Sequence, residues 1–164
     1  MAVTDNGKTQ KKDYSKFLIE GKKTEDKFSE YFKNTKTASK YQDTKEHWDV
    51  KISANIDVKG IRKIDRHSEV DENFHWVEIL NVNGDKGWVY SEFVDYFAFE
   101  TFDYFIIVEK EKLQNFIKEK VKKEYVNSTR QALYKLYRRK DRKDLISLVK
   151  TIDLIYICDK IIKK

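Results

Sequence analysis

Apolar and polar positions alternate most clearly between residues 49 and 59. Val50 and Ile52 alternate with Asp49 and Lys51, and Ile56 and Val58 alternate with Asp57 and Lys59. A period of two is the pattern of a strand with one face on a core, so a hairpin-like pair is expected, turning at Asn55 with its charges on one face. Residues 61–64 continue the second strand, and the charged residues 65–73 form an exposed loop. Residues 74–82 carry the strongest strand pattern, and Asn83-Gly84-Asp85 is a turn leading to Gly87-Trp88-Val89-Tyr90, which predicts a further hairpin. Residues 94–99 and 104–108 are unbroken apolar runs of strand length, as in central strands covered on both faces. Asp95 opens the first of them, where a structural role is expected.

Helical spacing appears in two places. Phe28, Tyr31 and Phe32 stand at i, i+3 and i+4, with Thr24 available as N-cap, and predict a helix over about residues 23–33. Residues 110–123 are amphipathic, with Leu113, Phe116, Ile117 and Val121 on one face. Between these signals, residues 35–45 offer only Ala38 and Tyr41 to a core and suit a short strand or a loop. Residues 132–137 suit a helix, or a strand paired with residues 145–149 across a charged tip. Thr151 is positioned to cap a last helix over about residues 152–162.

Composition narrows the picture. A chain of 164 residues is expected to form one domain over residues 17–164, preceded by a flexible polar tail over residues 1–16. A mean hydropathy of −0.77 argues against a membrane-spanning segment and for a soluble protein. The formal charge of +6 favours a polyanionic partner, most simply nucleic acid. Cys158 is the only cysteine, which excludes an intramolecular disulfide and a Cys-rich zinc site; with no signal-peptide pattern, an intracellular setting is expected. His47, His67 and His75 make no zinc spacing, and the chain has neither a Gly-rich phosphate loop nor a Gly-x-Ser-x-Gly elbow.

The residues best placed for chemistry are therefore Asp49, Asp57 and Lys59. Two carboxylates and an ammonium on neighbouring strands suit a hard divalent cation and a water nucleophile. Acid-x-Lys also occurs at Glu20, Glu25, Asp43, Asp49 and Asp141. Only Asp57-x-Lys59 sits inside an apolar alternation, follows another strand-borne acid, and precedes a glycine, Gly60, that lets a phosphate or a crossing element come close.

This arrangement resembles the PD-(D/E)xK nuclease superfamily. Asp49 matches the first acid, with Trp48 where the namesake proline often stands; Asp57 and Lys59 match the second acid and the lysine. Trp76, Glu78, Gly84, Gly87 and Trp88 match a Trp-hydrophobic-Glu strand, a Gly-containing turn and a Gly-Trp pair found in several phage and viral members. The resemblance covers roughly residues 22–121. It implies a restriction-endonuclease-like α/β fold, with a mixed central sheet flanked by helices and a basic C-terminal addition. A charged hairpin tip at residues 138–144 is also similar to such nucleases and favours the hairpin over the helix there.

The implied function is magnesium-dependent endonucleolytic hydrolysis of DNA, with manganese as a substitute. Asp49 and Asp57 would ligate the metal, assisted by Glu25 of the first helix, with Glu30 as second choice. Lys59 would position or deprotonate the attacking water. Glu78 and His47 are accessory candidates, although Glu78 also suits an acid satisfied by a neighbouring lysine and His47 an ordinary residue at a strand start. Arg62, Lys63 and Arg66, and Arg138, Arg139, Arg142 and Lys143 with Tyr134 and Tyr137 beside them, are candidate nucleic-acid contacts; the alternative for each is a solvated surface. Two other functions stay open: a non-catalytic nucleic-acid-binding protein of the same fold, and a Holliday junction resolvase, which would require a symmetric homodimer.

Overall fold

The computed structural model describes residues 19–30, 35–51 and 54–164. The expected N-terminal tail, Tyr31 and Phe32 of the first helix, and Ile52 of the hairpin lie outside them. In chain order the helices are α1 (residues 19–29), α2 (Lys110–Lys120) and α3 (Thr151–Ile157). The first five strands are β1 (Lys36–Thr37), β2 (Val50–Lys51), β3 (Asn55–Lys59), β4 (Phe74–Leu80) and β5 (Tyr96–Glu100). The others are β6 (Tyr104–Glu109), β7 (Tyr125–Val126), β8 (Leu136–Tyr137), β9 (Leu145–Lys150) and β10 (Lys160–Lys163). They build two mixed sheets, a six-stranded one in the order β1-β2-β3-β5-β6-β10 and a four-stranded one in the order β4-β9-β8-β7. The chain is α/β, but the single central sheet expected from sequence is replaced by two.

Alternation along the central strands decides where the helices pack. Ala98, Phe105 and Ile107 point to one face of the larger sheet, where Phe28 of α1 joins Val50, Ile56 and Val58; the Phe28 and Phe105 rings meet edge-on at 5.0 Å. Phe97, Phe99, Ile106 and Val108 point to the other face, against Leu113, Phe116 and Ile117 of α2. Val77 of β4 and Val149 of β9 belong to that second cluster, so the smaller sheet lies over the same face as α2.

The expected β2–β3 pair forms, with Val50 opposite Ile56 and Lys51 opposite Asn55, but Asn55 opens β3 instead of lying in the turn. β3 does not run on through residues 61–64; it ends at Lys59, and Lys63 instead bridges Val70 within the following loop. Asp95 has the expected structural role: its Oδ2 accepts the Asn55 N–H at 2.8 Å where β5 begins alongside β3.

Four other expectations are corrected. The first helix is already formed at residue 19, and Thr24 lies inside it rather than at its cap; its hydroxyl is 3.2 Å from the Glu20 carbonyl oxygen and 3.1 Å from Glu100 Oε2. Residues 87–90 do not return as a strand against β4: after one bridge between Leu80 and Lys86, Trp88–Tyr90 form a 3₁₀ turn. β4 pairs instead with β9, and the expected C-terminal hairpin forms between β8 and β9 with its first strand shortened to Leu136–Tyr137. α3 stops at Ile157, and the chain turns back as β10 to cover the edge of β6, pairing Ile161 with Ile106 and Ile162 with Phe105. An uncovered β6 edge would expose a row of unpaired backbone groups, which this return satisfies.

The turn after β4 is held by contact with Gly87. A Cβ there would stand 2.2 Å from the Glu78 carbonyl oxygen, a backbone atom that cannot move aside. Gly87→Ala is therefore expected to cost roughly 3 kcal/mol, read as a shift of the urea midpoint.

Candidate active site

β3 has a neighbour on each side, β2 antiparallel and β5 parallel, and helix or sheet on both faces. Its middle residue is consequently enclosed even though it is charged: Asp57 is 3% exposed. Asp49 sits just before β2 and continues its ladder, donating its N–H to the Ile56 carbonyl at 3.0 Å. Its side chain turns back to β3, where Oδ2 accepts the Val58 N–H at 2.7 Å. Asp57 Oδ1 receives Lys59 Nζ at 2.6 Å. These residues share a face with Trp88, because the 3₁₀ turn brings its ring against Phe97 and under Lys59, whose Nζ lies 4.3 Å from the ring centroid. The result is a cleft of about 340 Å³ walled by α1, β3, β4 and the 3₁₀ turn.

Burial raises the Asp49 carboxyl to about 7, and the neighbouring Asp57 charge adds to the shift. Burial also raises Asp57, opposed by Lys59. Two enclosed acids with one ammonium hold a proton near neutral pH, since both carboxylates cannot ionise cheaply side by side. Asp57 Oδ2 is buried and accepts no N–H, and the carboxyl that can share a proton with Asp57 is that of Asp49.

Glu25 lines the same cleft from α1 and is raised by burial and by Asp49, but its Oε2 accepts Lys22 Nζ at 3.0 Å. Glu30, the alternative helix acid, is exposed beyond the end of α1. His47 lines the cleft in a left-handed conformation, φ 60°, and is kept neutral by burial and by Lys59. Glu78 is raised by burial, against the opposing influence of Lys59, the Trp88 N–H and Arg139.

Of the basic candidates, only Arg62 lines the cleft. Lys63 and Arg66 are exposed on the adjoining loop. On the C-terminal hairpin, Arg138 is exposed over the Tyr125 ring, 6.0 Å from its centroid. Arg139 pairs with the buried Asp144, and the stem of Lys143 covers Gly84, so both also have structural tasks. Arg142 is exposed at the tip. The Gly60 Cα approaches the crossing helix: a Cβ there would meet Thr24 Oγ1 at 3.2 Å.

Sequence reasoning did not place Asp43 or His75 at the cleft, and both line it. Asp43 lies in a wide helical turn, Gln42–Glu46, with no periodic signal. His75 alternates with Trp76 toward the covered side of β4, is held neutral by burial at about 4, and its Nε2 has no hydrogen-bond partner.

Among the described residues, no group of three or more His, Cys, Asp or Glu side chains is close enough to hold a metal ion. The Asp49–Asp57 pair nonetheless suits part of a magnesium shell: it is an oxygen donor set with a buried acceptor that no N–H satisfies, and magnesium often takes one or two carboxylates, completing its octahedron with water and substrate phosphate. Comparison with protein-family models, with curated proteins and with solved structures finds no match. Among the described residues no helix is long and apolar enough to cross a membrane.

Proposed function

We propose that the chain is a restriction-endonuclease-like, magnesium-dependent DNA endonuclease of the PD-(D/E)xK type. The observation that carries this is the enclosed Asp49–Asp57 pair with Lys59 bound to it, opening into a cleft that Arg62 borders. Two buried acids kept together against their own repulsion are costly, and such costs concentrate at working sites.

Magnesium held by Asp49 and Asp57 would polarise the scissile phosphate and acidify a bound water. Lys59 is positioned by the Asp57 carboxylate and the Trp88 ring, so its ammonium has little freedom. From there it orients the incoming water and screens the charge that develops on the phosphate oxygens. Asp49, oriented by the Val58 N–H on its Oδ2, would hold the metal as a carboxylate, so metal binding would displace the proton that burial favours there. Arg62 meets a backbone phosphate at the rim.

The alternative is a nucleic-acid-binding protein of the same fold that does not cleave, with the exposed arginines and half-buried aromatic rings as its contacts. Supercoiled, duplex, single-stranded and four-way-junction DNA incubated with magnesium or manganese, and with EDTA, separates the two. Cleavage with metal and none in EDTA is expected, and a strong junction preference in a dimer would indicate a resolvase. Salt-sensitive binding without cleavage of any substrate would leave only the binding protein.

A further inference from the structure

One face of the smaller sheet carries none of Asp49, Asp57 and Lys59 but borders their cleft. Paired residues of neighbouring strands point to the same side, so Trp76 shares a face with Glu78 and, across Ile146, with Tyr137; His75 and Val77 turn the opposite way into the core. Trp76 and Tyr137 meet on that face with ring centroids 6.4 Å apart and planes inclined by 42°. Both are half-buried. Trp76 also belongs to the cleft wall, and its indole N–H is held by the Lys63 carbonyl at 3.2 Å.

The Lys63 loop is itself pinned. Lys63 bridges Val70, Asp65 Oδ1 accepts the His67 and Ser68 N–H groups at 2.9 and 2.8 Å, and Asp65 Oδ2 receives Arg130 Nε at 3.0 Å. The tryptophan ring is therefore fixed from behind while part of it stays in water. Rigid, partly exposed aromatic rings stack bases at little conformational cost. Charge complements them: Arg62 lines the same cleft as Trp76, and Tyr137 is followed by the exposed Arg138, whose neighbour Arg139 is close enough for its charge to act on Glu78. A paired base hides its faces within the duplex, whereas an unpaired one offers them.

We infer that Trp76 and Tyr137 form a stacking platform for an unpaired base at the cleft, so that the strand delivered to Asp49, Asp57 and Lys59 is single-stranded DNA. Tyr134 takes no part: its hydroxyl donates to Asp153 and its ring packs edge-on against Phe116. Cleavage of the bound strand rests on the nuclease proposal, whereas the platform itself stands without it.

The test is binding of labelled oligo(dT) and of a duplex of equal length in EDTA, by the full chain and by Trp76→Ala, Trp76→Phe and Tyr137→Ala, with folding checked by circular dichroism. The wild type should prefer the single strand. Trp76→Ala and Tyr137→Ala should each weaken oligo(dT) binding by roughly 5- to 100-fold and duplex binding by less than about twofold, with Trp76→Phe retaining most of the affinity. Tyr137→Ala decides the matter if Trp76→Ala does not fold. Equal losses on both substrates, or none on the single strand, would overturn the platform. Adding magnesium separates the two proposals: single-strand preference without cleavage removes the nuclease and leaves the platform, while duplex cleavage indifferent to Trp76→Ala removes the platform and leaves the nuclease.

Discussion

Asp57→Ala and Lys59→Ala are each expected to lower magnesium-dependent DNA cleavage by about 10³-fold or more, with DNA binding largely retained. The two side chains act as a unit, since Asp57 Oδ1 holds Lys59 Nζ at 2.6 Å. Losing the acid removes a metal-binding oxygen and releases the ammonium; losing the lysine removes the charge that faces the phosphate. Their effects should therefore overlap, and the double variant should be scarcely worse than either single one. Stability separates them. Lys59→Ala leaves Asp57 enclosed without its cation, so the carboxyl takes up a proton and the variant loses stability as pH rises. Asp57→Asn removes a buried charge and keeps the volume. Cleavage assays and thermal melts at pH 6 and pH 8 check both parts, and retained activity in both single variants would sink the assignment.

Asp49→Asn is expected to stabilise the protein at pH 8 while abolishing cleavage. The Asp49 carboxyl lies at about 7 in the fold, against an ordinary 3.8. Between those values the folded chain keeps a proton that the unfolded chain has released. Stability from this group is thus fully present below about pH 4, falls as pH rises toward 7, and is level above it. The total is on the order of 4 kcal/mol. An asparagine can still accept the Val58 N–H with its carbonyl oxygen and can donate to Asp57 with its amide, so the pH-dependent loss disappears without creating an unsatisfied group. A gain of roughly 2 to 4 kcal/mol at pH 8, and little change at pH 4.5, should appear in urea titrations. Magnesium should narrow the difference at pH 8 by binding the ionised pair of the wild type. A wild-type stability that rises between pH 5 and pH 7 through this pair would contradict the argument.

Both predictions concern residues whose relation was partly legible in the chain. An i, i+2 spacing in a strand puts Asp57 and Lys59 on one face whatever else happens, and the short loop between β2 and β3 brings Asp49 opposite them. The alternation at residues 74–80 and the 3.6-residue period of α2 likewise appear as strand and helix, because those patterns are local and each element needs one covered side. The residues of the C-terminal segment leave helix and hairpin open, and only the likeness of its charged tip to similar nucleases favours the hairpin that forms, with two residues in its first strand.

What the tertiary structure decided depends on contacts between distant segments. The parallel pairing of β3 with β5 encloses Asp57, and no local pattern announces it, because nearly 40 residues separate Asp57 from its partner Phe97. Gly87 and Trp88 fit a strand by local pattern, yet close approach to β4 turns them into the wall under Lys59. Residues 160–163 continue an apolar helical pattern until the open edge of β6 offers their backbone better partners. Glu25 reaches the cleft through the placement of α1, whereas its pairing with Lys22, three residues earlier, follows from helical spacing. Sequence by itself thus determined the α/β character, the main local elements and the Asp49, Asp57 and Lys59 set, since side-chain period and chain connectivity suffice for these. The tertiary structure decided the second sheet, the burial that moves the acids' proton affinity, and the placing of Trp76 beside Tyr137, because each arises where segments far apart in the chain exclude water together.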